Sequence, residues 1–299
     1  MEPNLRHIRY FIATARSGQV SRAAREINIS QSAITSGIKQ LEDMVGYPLF
    51  TRNSRGLQLT ENGTLFLRHA ERIFTAVNEA LHAPRDIHAS AKGDLRLAMT
   101  YTVAGYFLPR YLERFARNYP DVNIQPIEAP RPEIEAGLVS GEFDIAVILT
   151  SNIADQENLT YETLFRSARR LWLFSGHPLL ERSQITLSDL TEEPYIMLTV
   201  DEAANAAQRY WNEANVRPNI IMKTSSVEAV RSMVASGMGI TILSDMVYRP
   251  WSLEGQRVEA VPLATPVPSM DVGIAWAFNS ELSPATHAFA EFMRNDLTL

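Results

Sequence analysis

The sequence predicts a mixed fold: a small, mainly α-helical head carrying a β-hairpin, one long linker helix, and a larger α/β body. Three observations predict it. Helical periodicity dominates roughly the first eighty residues and is interrupted once, by a turn-rich segment between two short apolar runs. Pro84 and the polar stretch HASAKGD then read as a linker. Beyond Gly93, apolar strand-like runs alternate with helical stretches, the signature of βαβ units around a mainly parallel sheet. A length of 299 residues suits about two domains.

In the head, Leu5, Ile8, Phe11, Ile12 and Ala15 recur at spacings of three and four, one face of a helix that Ser17-Gly18 ends. A second short helix runs from about Val20 to Asn28 and buries Ala23, Ala24 and Ile27. Ser30 suits the N-cap of a third, whose Ala33, Ile34, Ile38, Leu41 and Val45 face the core and which Gly46 stops. LFTRNSRGLQLT reads as two strands around the turn Asn53-Ser54-Arg55-Gly56. Thr60 opens a long helix with an apolar stripe from Leu65 to Leu81, long enough to pair with its copy in a second chain.

In the body, LRLAMT, VNIQPIE and FDIAVIL are strands separated by helices near 104–118 and 131–140. LTYETLF, RRLWLFS and YIML follow, then a helix at about 202–214, NIIMKTS, a helix at 226–236 and ITIL. VEAVPL and DVGIAWAF precede a C-terminal helix from about Ser283 to Asp296.

Composition narrows the function classes. No Cys occurs, which excludes disulfides, thiolate metal sites and a cysteine nucleophile. The N-terminus lacks a leader's charged and apolar pattern, and no run of ~18 apolar residues occurs, so a cytoplasmic protein without a membrane span is expected. The net charge of −6 conceals an asymmetry. Residues 1–60 carry eight basic groups against four acids, +4, leaving 20 basic and 30 acidic groups, −10, in the rest. A basic head on an acidic body suits a nucleic-acid-binding module attached to something else, although a solvated charged face produces the same asymmetry.

Three short helices and a hairpin form a winged helix-turn-helix, in which the third helix is narrow enough to enter the major groove. Gln31, Ser32, Ala33, Thr35 and Ser36 near its start, with Lys39 a turn on, are the candidate base and phosphate contacts. Gln31 is able to bridge adenine in a bidentate way. Arg22, and Arg52 and Arg55 in the wing, are the candidate backbone or minor-groove contacts. The plainer reading is that any three-helix unit exposes polar residues and that Gln31 extends the cap. No catalytic constellation is visible: the six His residues lack metal-ligand spacing, and no nucleophile elbow or P-loop occurs. Gly237-Met238-Gly239 lacks the third glycine of a dinucleotide fingerprint and reads as a tight turn, and His177-Pro178 reads as structural. No enzyme, cofactor or metal is expected.

The order of residues says more. Ala23, Ala24, Ile27, Ser30, Gln31, Ala33, Thr35, Ile38, Leu41, Glu42, Val45, Gly46, Leu49, Phe50, Arg52, Leu59, Thr60 and Gly63 stand at the fixed spacing of a known pattern. The segment closely resembles the DNA-binding head of the LysR-type transcriptional regulators. FSGHPL at 174–179 and VRSMVASGMGITIL at 230–243 are similar to recurrent segments of that family's effector domain. Members often carry Pro, Ser and Arg where this chain has Ser32, Thr35 and Ser36, and Gly37 sits inside the third helix at a cost of ~1 kcal/mol relative to Ala. Operator preference is therefore expected to be the chain's own.

The resemblance implies a head at 1–60, a linker and dimerisation helix at 61–90, and an effector domain at 91–299 that resembles periplasmic solute-binding proteins. Its subdomain I is expected at 91–162 plus 267–299 and subdomain II at 163–266, with a small organic effector between them. Strand ends and the helix starts that follow them line such a cleft and suit anions. The candidates on one side are Thr100, Tyr101, Thr102, Pro130, Arg131, Thr150 and Ser151, and on the other Thr199, Val200, Asp201, Ser226 and Val227. Arg131 would pair with an anionic effector. The alternatives are plain N-caps for the hydroxyl residues, core packing for Tyr101, and a surface charge beside Glu133 and Glu135 for Arg131. Double-stranded DNA with inverted half-sites, a homodimer or homotetramer, and RNA polymerase are the implied partners; the rival reading is a solute-binding protein of the same body fold.

Overall fold

A computed structural model describes residues 4–53, 56–82 and 91–297, and the chain divides into two units, 1–85 and 86–299.

The first unit opens with α1 (Leu5–Ser17), α2 (Val20–Glu26) and α3 (Gln31–Val45), followed by β1 (Phe50–Asn53), β2 (Gly56–Leu59) and α4 (Glu61–His82). Asn4 caps α1 by accepting from the Arg6 N–H. Ser30 caps α3 through the Ala33 N–H, 3.2 Å away. Gly46, at φ 83°, takes the left-handed conformation that ends α3. β1 and β2 pair antiparallel from Phe50–Leu59 to Asn53–Gly56. The core is continuous beneath them: Phe11 meets Phe50 and Phe66 at ring distances of 5.2 and 5.1 Å, beside Ile8, Leu41, Leu49 and Ala70. Ala23, Ala24, Ile34 and Ile38 fasten α2 to α3. The first half of α4 thus belongs to the head, through Phe66, Leu67 and Ala70, while Leu65 and Ile73 remain exposed.

The second unit contains β3 (Gly93–Met99), α5 (Tyr101–Tyr106), α6 (Pro109–Asn118), β4 (Val122–Glu128), α7 (Arg131–Ser140), β5 (Ile145–Leu149), β6 (Leu159–Ser167) and β7 (Arg169–Phe174). Then come β8 (Pro194–Leu198), α8 (Ala203–Glu213), β9 (Asn219–Thr224), α9 (Val227–Ala235), β10 (Thr241–Ser244), β11 (Val258–Val261), β12 (Met270–Ala277) and α10 (Pro284–Leu297). Five strands form one sheet in the order β4-β3-β5-β12-β6, with α5, α6 and α10 contributing to the core on one face and α7 to that on the other. A second body is built from β10-β7-β11 and β8-β9, which a bridge between Tyr195 and Ile240 joins. α8 buries Tyr210 and Trp211 there, and α9 buries Val227, Val230, Arg231 and Val234.

Three readings change. The helix expected over 104–118 is two, because α5 already starts at Tyr101 and Pro109 restarts the chain as α6. The sheets are mixed: β3 runs parallel to β4 and β5, but β12 pairs antiparallel with β5 and β6, and β7 with β10 and β11. β6 stays in the first sheet to Ser167, past the boundary expected at 162, because its register with β12 continues to Met270. The crossing between the bodies therefore falls at Ser167–Arg169.

Candidate functional site

Two sites follow from this frame, one in each unit. In the head, α3 buries Ile34, Gly37, Ile38 and Leu41, and this fixes which side faces out. Gln31, Ser32, Thr35, Ser36 and Lys39 are all exposed on that outer side, and Ala33 is half-buried with its N–H given to the Ser30 cap. Thr35 Oγ1 donates back to the Gln31 carbonyl at 2.9 Å, and Ser30 and Ser32 share a hydroxyl contact at 3.1 Å. Gln31 is thus an exposed amide at the tip of a helix whose start is already capped. The N-terminal end of α3 also borders a recess of about 540 Å³ lined by Ser21, Ala24, Arg25, Ile29, Ser30 and Gln31. Exposed Arg25, which the sequence reading did not select, supplies a cation there. Its signal was its position in the last turn of α2, shortly before the Ser30 cap of α3. Arg55 lies outside the described residues, as do the side chains of Arg22 and Arg52, whose backbones belong to α2 and β1.

What holds α3 against the wing is Glu42. Its Oε1 accepts the N–H groups of Leu49 and Phe50 at 2.7 and 3.2 Å, so the chain leaving α3 is tied where β1 begins. The Leu57 N–H donates to the Gly18 carbonyl, which ties β2 to the end of α1.

In the second unit, a cavity of about 390 Å³ opens between the two bodies, lined by Tyr101, Glu128, Ala129, Pro130, Arg131, Pro132, Val200, Asp201 and Glu202. Tyr101, Pro130, Arg131, Val200 and Asp201 from the sequence expectation meet here. Arg131 is already paired with two carboxylates: its Nε donates to Glu202 at 2.6 Å and its Nη1 to Glu135 at 2.9 Å. Burial works against its charge, but the two carboxylates outweigh that and raise its pKa above the ordinary value. Across the gap, Asp201 Oδ2 accepts the Thr102 N–H at 2.6 Å. Asn152, also missed from sequence, donates through Nδ2 to the Asp201 carbonyl at 2.9 Å and to Glu202 at 3.3 Å. Thr100 is buried, and its hydroxyl has no hydrogen-bond partner among the described residues.

Other candidates are accounted for by structure. Thr150 Oγ1 meets Thr163 Oγ1 at 2.8 Å, inside the sheet, while Ser151 is exposed. Ser226 caps α9 through the Ala229 N–H, and Thr199 gives its N–H to Thr224. Val227 is fully buried with Trp172 and Ile196, in a cluster against which Tyr101 and Val200 also pack. His177 accepts the Leu179 N–H at a short helical turn. A second link crosses between the bodies: the Tyr106 hydroxyl donates to Glu228 at 2.9 Å, and Glu228 pairs with buried Arg231. Burial, then the bond to Glu228, pushes the Tyr106 phenol up to about 12. Among the described residues, no group of three His, Cys, Asp or Glu could hold a metal, and no helix is long and apolar enough to cross a membrane.

Known proteins match both units. The family model described as "Bacterial regulatory helix-turn-helix protein, lysR family" matches residues 5–64, and "LysR substrate binding domain" matches 88–298. Similar proteins include the uncharacterized HTH-type transcriptional regulator YwbI of Bacillus subtilis, 29% identical over 98% of this chain and 97% of that one. The HTH-type transcriptional regulator CysB of Burkholderia cenocepacia is 28% identical over 85% and 82%. Among solved structures, HinK, a LysR family transcriptional regulator from Pseudomonas aeruginosa, shares 28% identity and a TM-score of 0.64 over 99% of each chain.

Proposed function

The chain belongs to the LysR family of transcriptional regulators, and from that premise we propose that it binds an operator through α3 and the wing, under the control of a small organic effector held in the cleft. The observation that carries this reading is the outer face of α3. Gln31, Ser32, Thr35, Ser36 and Lys39 are exposed together on a helix whose opposite face, cap and C-terminal end are all fixed to the head. Base readout needs such a helix, because a side chain selects a base only when its backbone cannot shift to suit another. Arg25, Arg22, Arg52 and Arg55 supply the phosphate contacts in this reading.

Two heads must be held together to read inverted half-sites. We assign that role to α4, whose Leu65 and Ile73 are exposed outside the head core, and place the dimers in a tetramer. RNA polymerase is the further partner, the location is the cytoplasm, and the body works by binding alone, with no catalytic step, cofactor or metal. The effector acts by its differential affinity for two arrangements of the two bodies, which the assembly converts into a change in DNA spacing or bend.

The test is fluorescence anisotropy of labelled duplex from the intergenic region upstream of the gene, titrated with full-length protein across a salt series. Affinity should exceed that for random duplex and fall steeply and log-linearly with salt, as counterion release from several phosphates requires. Flat salt dependence with no preference for the intergenic duplex would end the proposal.

A further inference from the structure

The donors that an anionic effector would use are already occupied, and by the protein's own carboxylates. Asp201 takes the Thr102 N–H at 2.6 Å, and Glu202 takes Arg131 Nε at the same distance. Asn152 grips both residues from the first body. All three donors lie on that body, and both acceptors lie on one turn of the second, just before α8.

That turn is strained. Asp201 and Glu202 stand at φ 48° and 57°, two consecutive non-glycine residues in the left-handed region. L side chains visit this region singly and at a cost, so surrounding contacts must impose it. Neither residue owes its conformation to burial, since both are only half-buried. The turn's polar side chains and the Asp201 carbonyl instead make the four hydrogen bonds across the cleft. Beside them lies the cavity of about 390 Å³, on the same side chains. With the turn in place its lining holds Glu128, Asp201 and Glu202 against Arg131 alone, and Arg131 is already shared with Glu135.

We propose that residues 200–202 are an internal carboxylate strap, occupying in the ligand-free cleft the donors that a small carboxylate effector takes, and that effector binding releases it. The inference rests on the cleft being the effector site. A carboxylate entering beside the strap meets Glu128, Asp201 and Glu202, and finds the Thr102 N–H, Arg131 Nε and Asn152 Nδ2 already taken. A carboxylate that displaces it gains Thr102, Arg131 and Asn152, while the freed turn leaves its left-handed backbone. Loss of the strap's bonds is offset in part by relief of its strain and by hydration of Asp201 and Glu202. Asp201 and Glu202 thereby set a threshold that a ligand must exceed, so they determine specificity without touching it.

Two measurements on the full chain test this, neither involving DNA. The first is hydrogen exchange of the Thr102 amide. In Asp201→Gly, which removes the carboxylate and accepts the positive φ, exchange should quicken about tenfold or more, while the amides of β5 keep their protection. Unchanged protection at Thr102 would overturn the strap. The second compares acetate, the bare carboxylate, with chloride at equal ionic strength in thermal unfolding. Acetate should raise the Tm of Glu202→Gln and of Asp201→Gly more than that of the wild type. An equal response in all three overturns competition at the donors. Methylammonium that stabilises the wild type, and loses this effect in Glu202→Gln, would show instead that the acids bind cations. A wild-type chain that ignored its operator would sink the regulator reading and leave these results standing; failure here would leave operator binding untouched.

Discussion

Gly37 is the position where intrinsic helix preference and packing disagree most directly. On propensity alone, Gly37→Ala should stabilise α3 by ~1 kcal/mol. The structure reverses the sign. A Cβ at Gly37 would stand 2.7 Å from Tyr10 Cδ2 and 3.0 Å from His7 Cδ2, inside the ~3.5–4.0 Å of ordinary carbon contact. Cδ2 belongs to the root of the Tyr10 ring, which packs on Ala23, Ala24, Ile34 and Ile38, so it cannot swing clear as a chain end could. Either α1 moves off α3 or Tyr10 leaves its place. Overpacking of this kind costs about 1–3 kcal/mol, and subtracting the propensity gain leaves a net loss of about 1 kcal/mol. In a Tyr10→Ala background most of the clash is gone, and the same substitution should become neutral or stabilising, giving a coupling of about 1–2 kcal/mol. The assay is urea unfolding followed by far-UV circular dichroism. All four Trp residues (172, 211, 251 and 276) lie in the second unit, so their fluorescence provides an internal control that should not move. A Gly37→Ala chain more stable than wild type, or equally destabilised in both backgrounds, would refute the packing argument.

Other substitutions separate the remaining interactions. Glu42→Ala strands two partly buried N–H groups at Leu49 and Phe50, and should cost the head about 1–3 kcal/mol in the same dichroism experiment; a loss below ~0.5 kcal/mol would mean water replaces the carboxylate. Thr100→Val replaces an unpartnered buried hydroxyl by a methyl group, so the ligand-free protein should be unchanged or stabilised by up to ~1 kcal/mol in thermal unfolding. A clear loss would reveal a bond at that hydroxyl. Burial opposes ionisation of Glu228, but the bonds from Arg231 and Tyr106 prevail and lower its pKa. Its contribution is therefore present above the ordinary carboxylate value of about 4.3 and disappears as pH falls through the lower folded value. Glu228→Gln should melt below wild type at pH 7, and the gap should close as pH falls below the ordinary carboxylate range; a constant gap would exclude ionisation as the cause.

The head was legible in sequence because its determinants are local. The Ser30 cap, the Gly46 stop and the 3–4 spacing of Ile34, Ile38 and Leu41 each act within one helix or turn. Gly37 was legible only as an anomaly, since Tyr10 and His7 that require it lie on another helix. In the cleft, local pattern brought Tyr101, Pro130, Arg131, Val200 and Asp201 to one cavity. Ser226 serves as a cap and Val227 is buried behind it, and sequence does not separate those roles from a cleft contact, because a hydroxyl before a helix signals a cap whether or not a ligand lies beyond it. The pairing of Arg131 with Glu202 and of Thr102 with Asp201 was not legible, since it joins segments some seventy to a hundred residues apart. The mixed strand directions were hidden for a similar reason: β12 returns to the first sheet only after the whole second body is built.

The central claim is that α3 reads a sequence and that two copies read it symmetrically. Selection of binding sites from a random duplex pool by the full-length protein tests both parts at once, run in parallel with Gln31→Ala. Wild type should enrich a motif of two inverted half-sites about 10 base pairs or a multiple apart, and Gln31→Ala should relax the preference at one position in each half-site. A pool that remains random, or a motif that Gln31→Ala leaves unaltered together with one lacking two-fold symmetry, would contradict it.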